Sequence, residues 1–142
     1  MKKKAQILSF ANIAEGVHPT GRTTVEAEAA IPARRLLLKH GTGNRQALVA
    51  GASDQPAFVA GDSANVGDVI EGAILGAATG TLLVVTAEAI ARDDDLYTAA
   101  GGKVQKLPSA PGTYYKVGRA LVPAEADSDV EFVHQLPEPV VV

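Results

Sequence analysis

Apolar residues in this chain gather into short runs, and turn residues cut the runs apart at intervals of about ten positions, the rhythm of short strands. From Val25 onward the runs are Ala33 to His40, which follows Pro32 and ends at Gly41-Thr42-Gly43-Asn44; Arg45 to Ala50; Pro56 to Ala60, stopped by Gly61-Asp62; and Asp68 to Leu75, closed by Gly76. Thr81-Leu82-Leu83-Val84-Val85-Thr86 is continuously apolar behind Gly80, which predicts a strand covered on both faces. Leu96 to Ala100 and Lys103 to Leu107 flank Gly101-Gly102, two residues that take positive φ without steric cost, so a hairpin is predicted there. Past the Pro108 to Gly112 break, Thr113 to Val122 extends the hairpin to a meander.

Near the end, Val130, Phe132 and Leu136 fall on one face of a strand with Glu131 and Gln135 on the other, and Pro137 and Pro139 are expected to stop it before the apolar tail Val140-Val141-Val142. One stretch departs from the rhythm. Thr86 to Arg92 has helix-forming composition, yet the Asp93-Asp94-Asp95 cluster leaves room for two turns at most, a short helix or a wide connection. The pattern as a whole predicts an all-β domain, a small sandwich or barrel of short antiparallel strands with at most one short helix, over residues 25–142. Met1 to about Thr24 lacks the rhythm and contains the turn sequence His18-Pro19-Thr20-Gly21, so it reads as an extended N-terminal arm.

Composition sharpens this picture at a few points. A length of 142 residues suits one compact domain with an arm. Alanine swells the 46% apolar fraction while aromatic residues stand at 4%, so a lean core must rest on Val, Ile and Leu and gain from contacts with partners. The net charge of -3 argues against a nucleic-acid binder, which carries a basic face. With no cysteine, disulfides and thiolate metal sites are excluded. Met1-Lys2-Lys3-Lys4 begins like a signal peptide, but Asn12 and Glu15 interrupt the apolar stretch, and no run approaches the roughly 20 residues of a spanning helix. Neither export by that route nor a membrane partner is expected.

Candidate chemistry is sparse. His18, His40 and His134 are far apart and none has a second ligand-type residue at helical metal spacing. Asp93-Asp94-Asp95 lacks the alternating spacing and the glycine of a calcium loop, and reads as a solvated loop. Gly102-Lys103 lacks the earlier glycine and the following hydroxyl of a phosphate loop. No serine lies in a nucleophile elbow. The expectation is therefore no catalytic residue, no metal and no cofactor. Contact candidates remain: Lys2, Lys3 and Lys4 with Ile7 and Phe10 on the arm, and the pair Tyr114 and Tyr115, which places one ring on each face of a strand. Gly101 and Gly102 serve as a structural turn.

Several phrases also carry a likeness. Ile31-Pro32-Ala33-Arg34-Arg35-Leu36-Leu37-Leu38-Lys39-His40-Gly41-Thr42, Leu96-Tyr97-Thr98-Ala99-Ala100-Gly101-Gly102-Lys103-Val104, Gly112-Thr113-Tyr114-Tyr115-Lys116-Val117-Gly118-Arg119-Ala120-Leu121, Asp129-Val130-Glu131-Phe132-Val133 and Pro139-Val140-Val141-Val142 resemble the head decoration, or capsid cement, proteins of tailed bacteriophages, over roughly Val25 to Val142. In such proteins a glycine often stands before the Asp that leads into the Leu-Tyr strand; here Arg92-Asp93-Asp94 fills that place. The resemblance implies a β-tulip-like fold, a homotrimer, the major capsid protein as partner, and a place on the exterior of the capsid, which such proteins reinforce. A carbohydrate- or receptor-binding β module using Tyr114 or Tyr115 as a platform is the alternative from another class, and a hydrolase with dispersed carboxylates a third.

Overall fold

The computed structural model describes residues 18–142. Among the described residues ten strands form in order: β1 Arg22–Ala27, β2 Leu37–His40, β3 Gln46–Val49, β4 Phe58–Ala60, β5 Val69–Ile74, β6 Leu82–Val85, β7 Asp95–Thr98, β8 Val104–Gln105, β9 Thr113–Ala120 and β10 Asp129–Val141. The first five close into a small barrel in the order β1-β3-β2-β4-β5. All its pairs are antiparallel except β1 with β3, where Glu26 faces Gln46 and Ala27 faces Ala47. The other five make an antiparallel sheet in the order β6-β10-β9-β7-β8. A bridge between Thr86 and Val104, with the Ala87 N–H donating to the Val104 carbonyl at 2.8 Å, brings the two edges of that sheet together. The second sheet thus curls almost shut. The architecture is the small all-β fold that the run pattern predicts.

Period-two alternation explains how so few large residues fill two cores. In β2, Leu38 points into the barrel while Leu37 points out of it towards the second sheet; in β4, Phe58 and Val59 divide in the same way. Inside the barrel, Val25, Leu38, Phe58 and Ile70 pack together. Outside it, Leu37, Val59, Ala73 and Leu75 meet Leu82, Val84, Leu96, Val117, Val130 and Phe132. Leu37 and Leu38 are therefore a wall shared by both cores, and Leu36 beside them is buried as well.

Two buried threonines and one arginine complete the junction. Thr86 Oγ1 donates to the Glu125 carbonyl at 2.6 Å, and Thr98 Oγ1 donates to Ala52 while accepting from the Tyr115 N–H at 3.1 Å, so neither hydroxyl is left unpaired. Arg35 clamps the halves: its N–H donates to Ala60, its carbonyl accepts from Val85 at 3.0 Å, and its guanidinium pairs with Asp129. It does so at φ +67°, in the left-handed region.

Several elements differ from the expectation. The first strand begins at Arg22, inside the arm expected to reach Thr24, because Arg22 to Glu26 pair with β5. Only Leu37–His40 of the Ala33 to His40 run is strand, since the turn at Arg35 breaks it. β6 is covered on one face alone: Leu82 and Val84 are buried while Leu83 is 36% exposed. Thr86 to Arg92 forms no helix. Its backbone is drawn into bonds with distant carbonyls, Ile90 N–H to Ala124 among them, and these outcompete local turns. The three runs around Gly101-Gly102 are not a simple meander, because β9 lies beside β7 and leaves β8 on the edge. The hairpin itself stands, with a five-residue connection that includes the 3-10 turn Ala100–Gly102.

The prolines do not stop the last strand. β10 continues to Val141, pairing Lys116 with Glu138, Tyr115 with Pro139 and Thr113 with Val141. Gly112 and Val142 exchange both backbone bonds, so alternation puts Pro139 at a non-bonded position where its missing N–H faces away from β9. Pro137 falls in a bulge that sets Gln135, Leu136 and Pro137 opposite Val117. The same bulge turns Leu136 outward, to 73% exposure, off the face it would share with Val130 and Phe132.

Candidate docking surface

The contact candidates Lys2, Lys3, Lys4, Ile7 and Phe10 lie outside the described residues. Tyr114 and Tyr115 take opposite faces of β9. Tyr114 is buried and its hydroxyl donates to the Ala110 carbonyl at 3.1 Å, which ties the Pro108 to Gly112 turn to the sheet. Tyr115 is half-buried and its N–H is held by Thr98. Gly101 and Gly102 both adopt positive φ, +71° and +76°. They differ in surroundings: a Cβ on Gly101 would meet nothing within 4 Å, whereas one on Gly102 would sit 3.0 Å from Leu36 Cβ, the Leu37 carbonyl and Val49 Cγ1. Gly102 is thus one point of close approach between the second sheet and the barrel.

Several of the charged and imidazole groups singled out in the sequence are engaged in structure. Asp93 occupies the left-handed region at φ +70°. Asp94 Oδ2 accepts from the Ala91 N–H at 2.8 Å, whereas Asp95 pairs with Lys116 and Arg119, so these two carboxylates serve different partners. His134 Nδ1 accepts from the Gly76 N–H at 2.9 Å while Nε2 faces the Gly80 carbonyl at 3.1 Å. That pairing sets the tautomer with the proton on Nε2. His40 stacks edge-on against Phe58, with centroids 5.1 Å apart. Among the described residues no group of three or more His, Cys, Asp or Glu side chains converges as a metal site, and no helix is long and apolar enough to cross a membrane.

What the structure assembles instead is open surface. A groove of about 400 Å³ runs between the barrel and the β10 bulge. Pro56, Ile74, Leu75, Leu136 and Pro137 give it an apolar lining. At its rim Lys39 Nζ lies 2.9 Å from Asp54 Oδ2, which also accepts the Gly51 N–H at 2.8 Å. That backbone bond, and after it the Lys39 ammonium, holds the Asp54 carboxyl below its ordinary value of 3.8. The outward face of the second sheet adds Leu83, Leu121 and Val133, of which Val133 is 52% exposed. The register places Glu131 between Leu83 and Leu121, and Val133, two residues on along β10, lies diagonal to both. Apolar side chains framed by fixed charges suit burial against another folded surface.

None of these residues stood out as a contact candidate in the chain. Leu136 reads as core until the bulge is known, and Leu83 reads as doubly covered until the sheet order is known. Proline at 137 and 139 was the available signal that this edge is special.

No protein-family model matches the chain, and no curated protein matches it either. Among solved structures it is similar to the N base of the head fiber gp8.5 of bacteriophage phi29, with a TM-score of 0.63 and 20% identity, over 82% of this chain and 95% of that one. At that identity the likeness establishes a shared fold.

Proposed function

We propose that this chain is a structural protein of a tailed-phage virion that docks on the outside of the assembled head and stabilises it. The observation that carries the reading is the shared fold with a head-fiber base, which spans nearly the whole of that chain. The decoration-protein phrases point the same way from the sequence, and the exposed apolar rows around Leu136 and Leu83 give such a protein surface to bury. No chemical step is part of the proposal: the protein works by gripping a preassembled lattice. The partner is the major capsid protein, and the resemblance to decoration proteins supplies the homotrimer as the docking unit.

The energetics follow from multivalency. Once one contact forms, the next becomes intramolecular, and avidity gains of about 10² to 10⁴ arise without new interactions. A protein that binds only the assembled lattice stabilises it by mass action. Co-sedimentation of the purified full chain with heads that lack it tests the proposal. Saturable uptake at a fixed ratio to the major capsid protein is expected, and a chain that stays in the supernatant at every concentration counts against docking.

A further inference from the structure

A second crevice, of about 360 Å³, lies between the barrel and β6. Arg22, Arg34 and Arg35 line it, Val59 and Leu82 give it an apolar floor, and Leu83 continues it onto the exposed face of the second sheet. Arg22 projects from the outside of β1, steadied by the Thr20 carbonyl at 3.3 Å and Thr79 Oγ1 at 3.5 Å. Arg34 is exposed in the turn ahead of β2. Among the described residues, neither Arg22 nor Arg34 lies within ion-pair distance of a carboxylate, whereas Arg35 in the same crevice holds Asp129. Glu71, on β5 beside β1, also lines the crevice and likewise has no ion-pair partner among those residues.

Three guanidinium groups in one concave junction stand out in a chain of net charge -3. A guanidinium fork matches a carboxylate in a bidentate pair and is weakly enough hydrated to make that pair at a protein interface. An apolar floor beside it takes an aliphatic side chain. We infer that this crevice receives an acidic, aliphatic segment of a partner protein: Arg22 and Arg34 bind its carboxylates, Val59 and Leu83 bury the adjoining side chain, and Glu71 opposes entry and so limits affinity. A nucleic acid fits less well, because a phosphate backbone is tracked by a line of cations and this crevice is flanked by Glu71 and Asp129. The inference rests on the docking reading for the identity of the partner, which would be a capsid surface loop.

The test uses the purified full chain and a labelled peptide of repeating Glu-Leu-Glu-Val, followed by fluorescence anisotropy, with a Gln-Leu-Gln-Val peptide as the neutral control. The acidic peptide is expected to bind saturably and at least about tenfold more tightly than the control, as charge-assisted pairs require. Arg34→Ala, at an exposed position, should weaken binding by at least about threefold, and Glu71→Gln should tighten it by a similar factor. Equal binding of the two peptides, or no response to either substitution, overturns the inference. Tighter binding of a thymidine oligonucleotide overturns it in favour of nucleic acid, and self-association that Arg34→Ala abolishes overturns it in favour of a second copy. Sedimentation with heads separates the two readings. If wild type and Arg34→Ala bind heads equally, the crevice has another role while docking stands; if neither binds heads although the peptide results hold, the crevice stands and docking falls.

Discussion

The backbone N–H of Gly76 donates to Nδ1 of His134 at 2.9 Å, and the opposite ring nitrogen faces the Gly80 carbonyl at 3.1 Å. One imidazole thus ties the connection leaving the barrel to β10 of the second sheet. His134→Ala removes both bonds at a half-buried site and should cost about 1–2 kcal/mol, seen as a melting temperature lower by about 3–6 °C. His134→Asn, whose side-chain oxygen can still accept from Gly76, should recover about half of that loss. Equal melting of all three proteins would show that the imidazole does not hold the junction.

Gly101 and Gly102 separate two effects that a Gly-Gly turn confounds. Gly101→Ala meets only the left-handed backbone cost, about 1 kcal/mol. Gly102→Ala adds a clash with the Leu37 carbonyl and the Val49 methyl, so a total of about 2–4 kcal/mol is expected. Urea unfolding of the two variants distinguishes them, and equal midpoints would place the barrel farther from this turn than 3.0 Å.

The Asp54 carboxyl is held below its ordinary value by the Gly51 N–H and then by Lys39. A depressed carboxylate adds stability above its unfolded value, and that contribution fades as pH falls through the lower folded value. Wild type should therefore exceed Asp54→Asn by a constant margin from neutrality down to about pH 5, with the margin shrinking below about pH 4. Unfolding midpoints across that range check the sign; a margin that grows in acid would contradict it. The side chain is partly exposed, so salt should narrow the margin as well.

Pro139 guards an edge. Beyond Phe132, which pairs with the first residue of β6, β10 has no strand on that side among the described residues, and Pro139 supplies no N–H there. Pro139→Val restores a donor to an exposed, apolar strand next to Val141. The fold should persist while concentration-dependent association rises in light scattering; a variant as monodisperse as wild type would remove this role.

Much of the strand content was legible because turn residues punctuate the chain: Gly41 to Asn44, Gly61-Asp62 and Gly76 each end a run that the structure confirms as strand. Neighbour relations were not legible. Nothing local tells Thr113 to Ala120 to pair with β7 instead of β8, and nothing local divides Leu37 from Leu38 between two cores. The prolines misled for a related reason: Pro139 ends a strand only if its nitrogen faces a partner, and here it faces none. The docking surface was the least visible part, since Leu136 depends on the bulge and Leu83 on the order of the sheet.

If the chain binds a finished head surface and strengthens it, as proposed, its effect belongs in the thermal stability of the particle. Heads assembled without it are saturated with the purified full chain and heated while DNA release is followed. Saturable uptake and a higher release temperature than bare heads show are expected. Heads that take up no protein, or that release their DNA at an unchanged temperature once coated, would contradict the proposal.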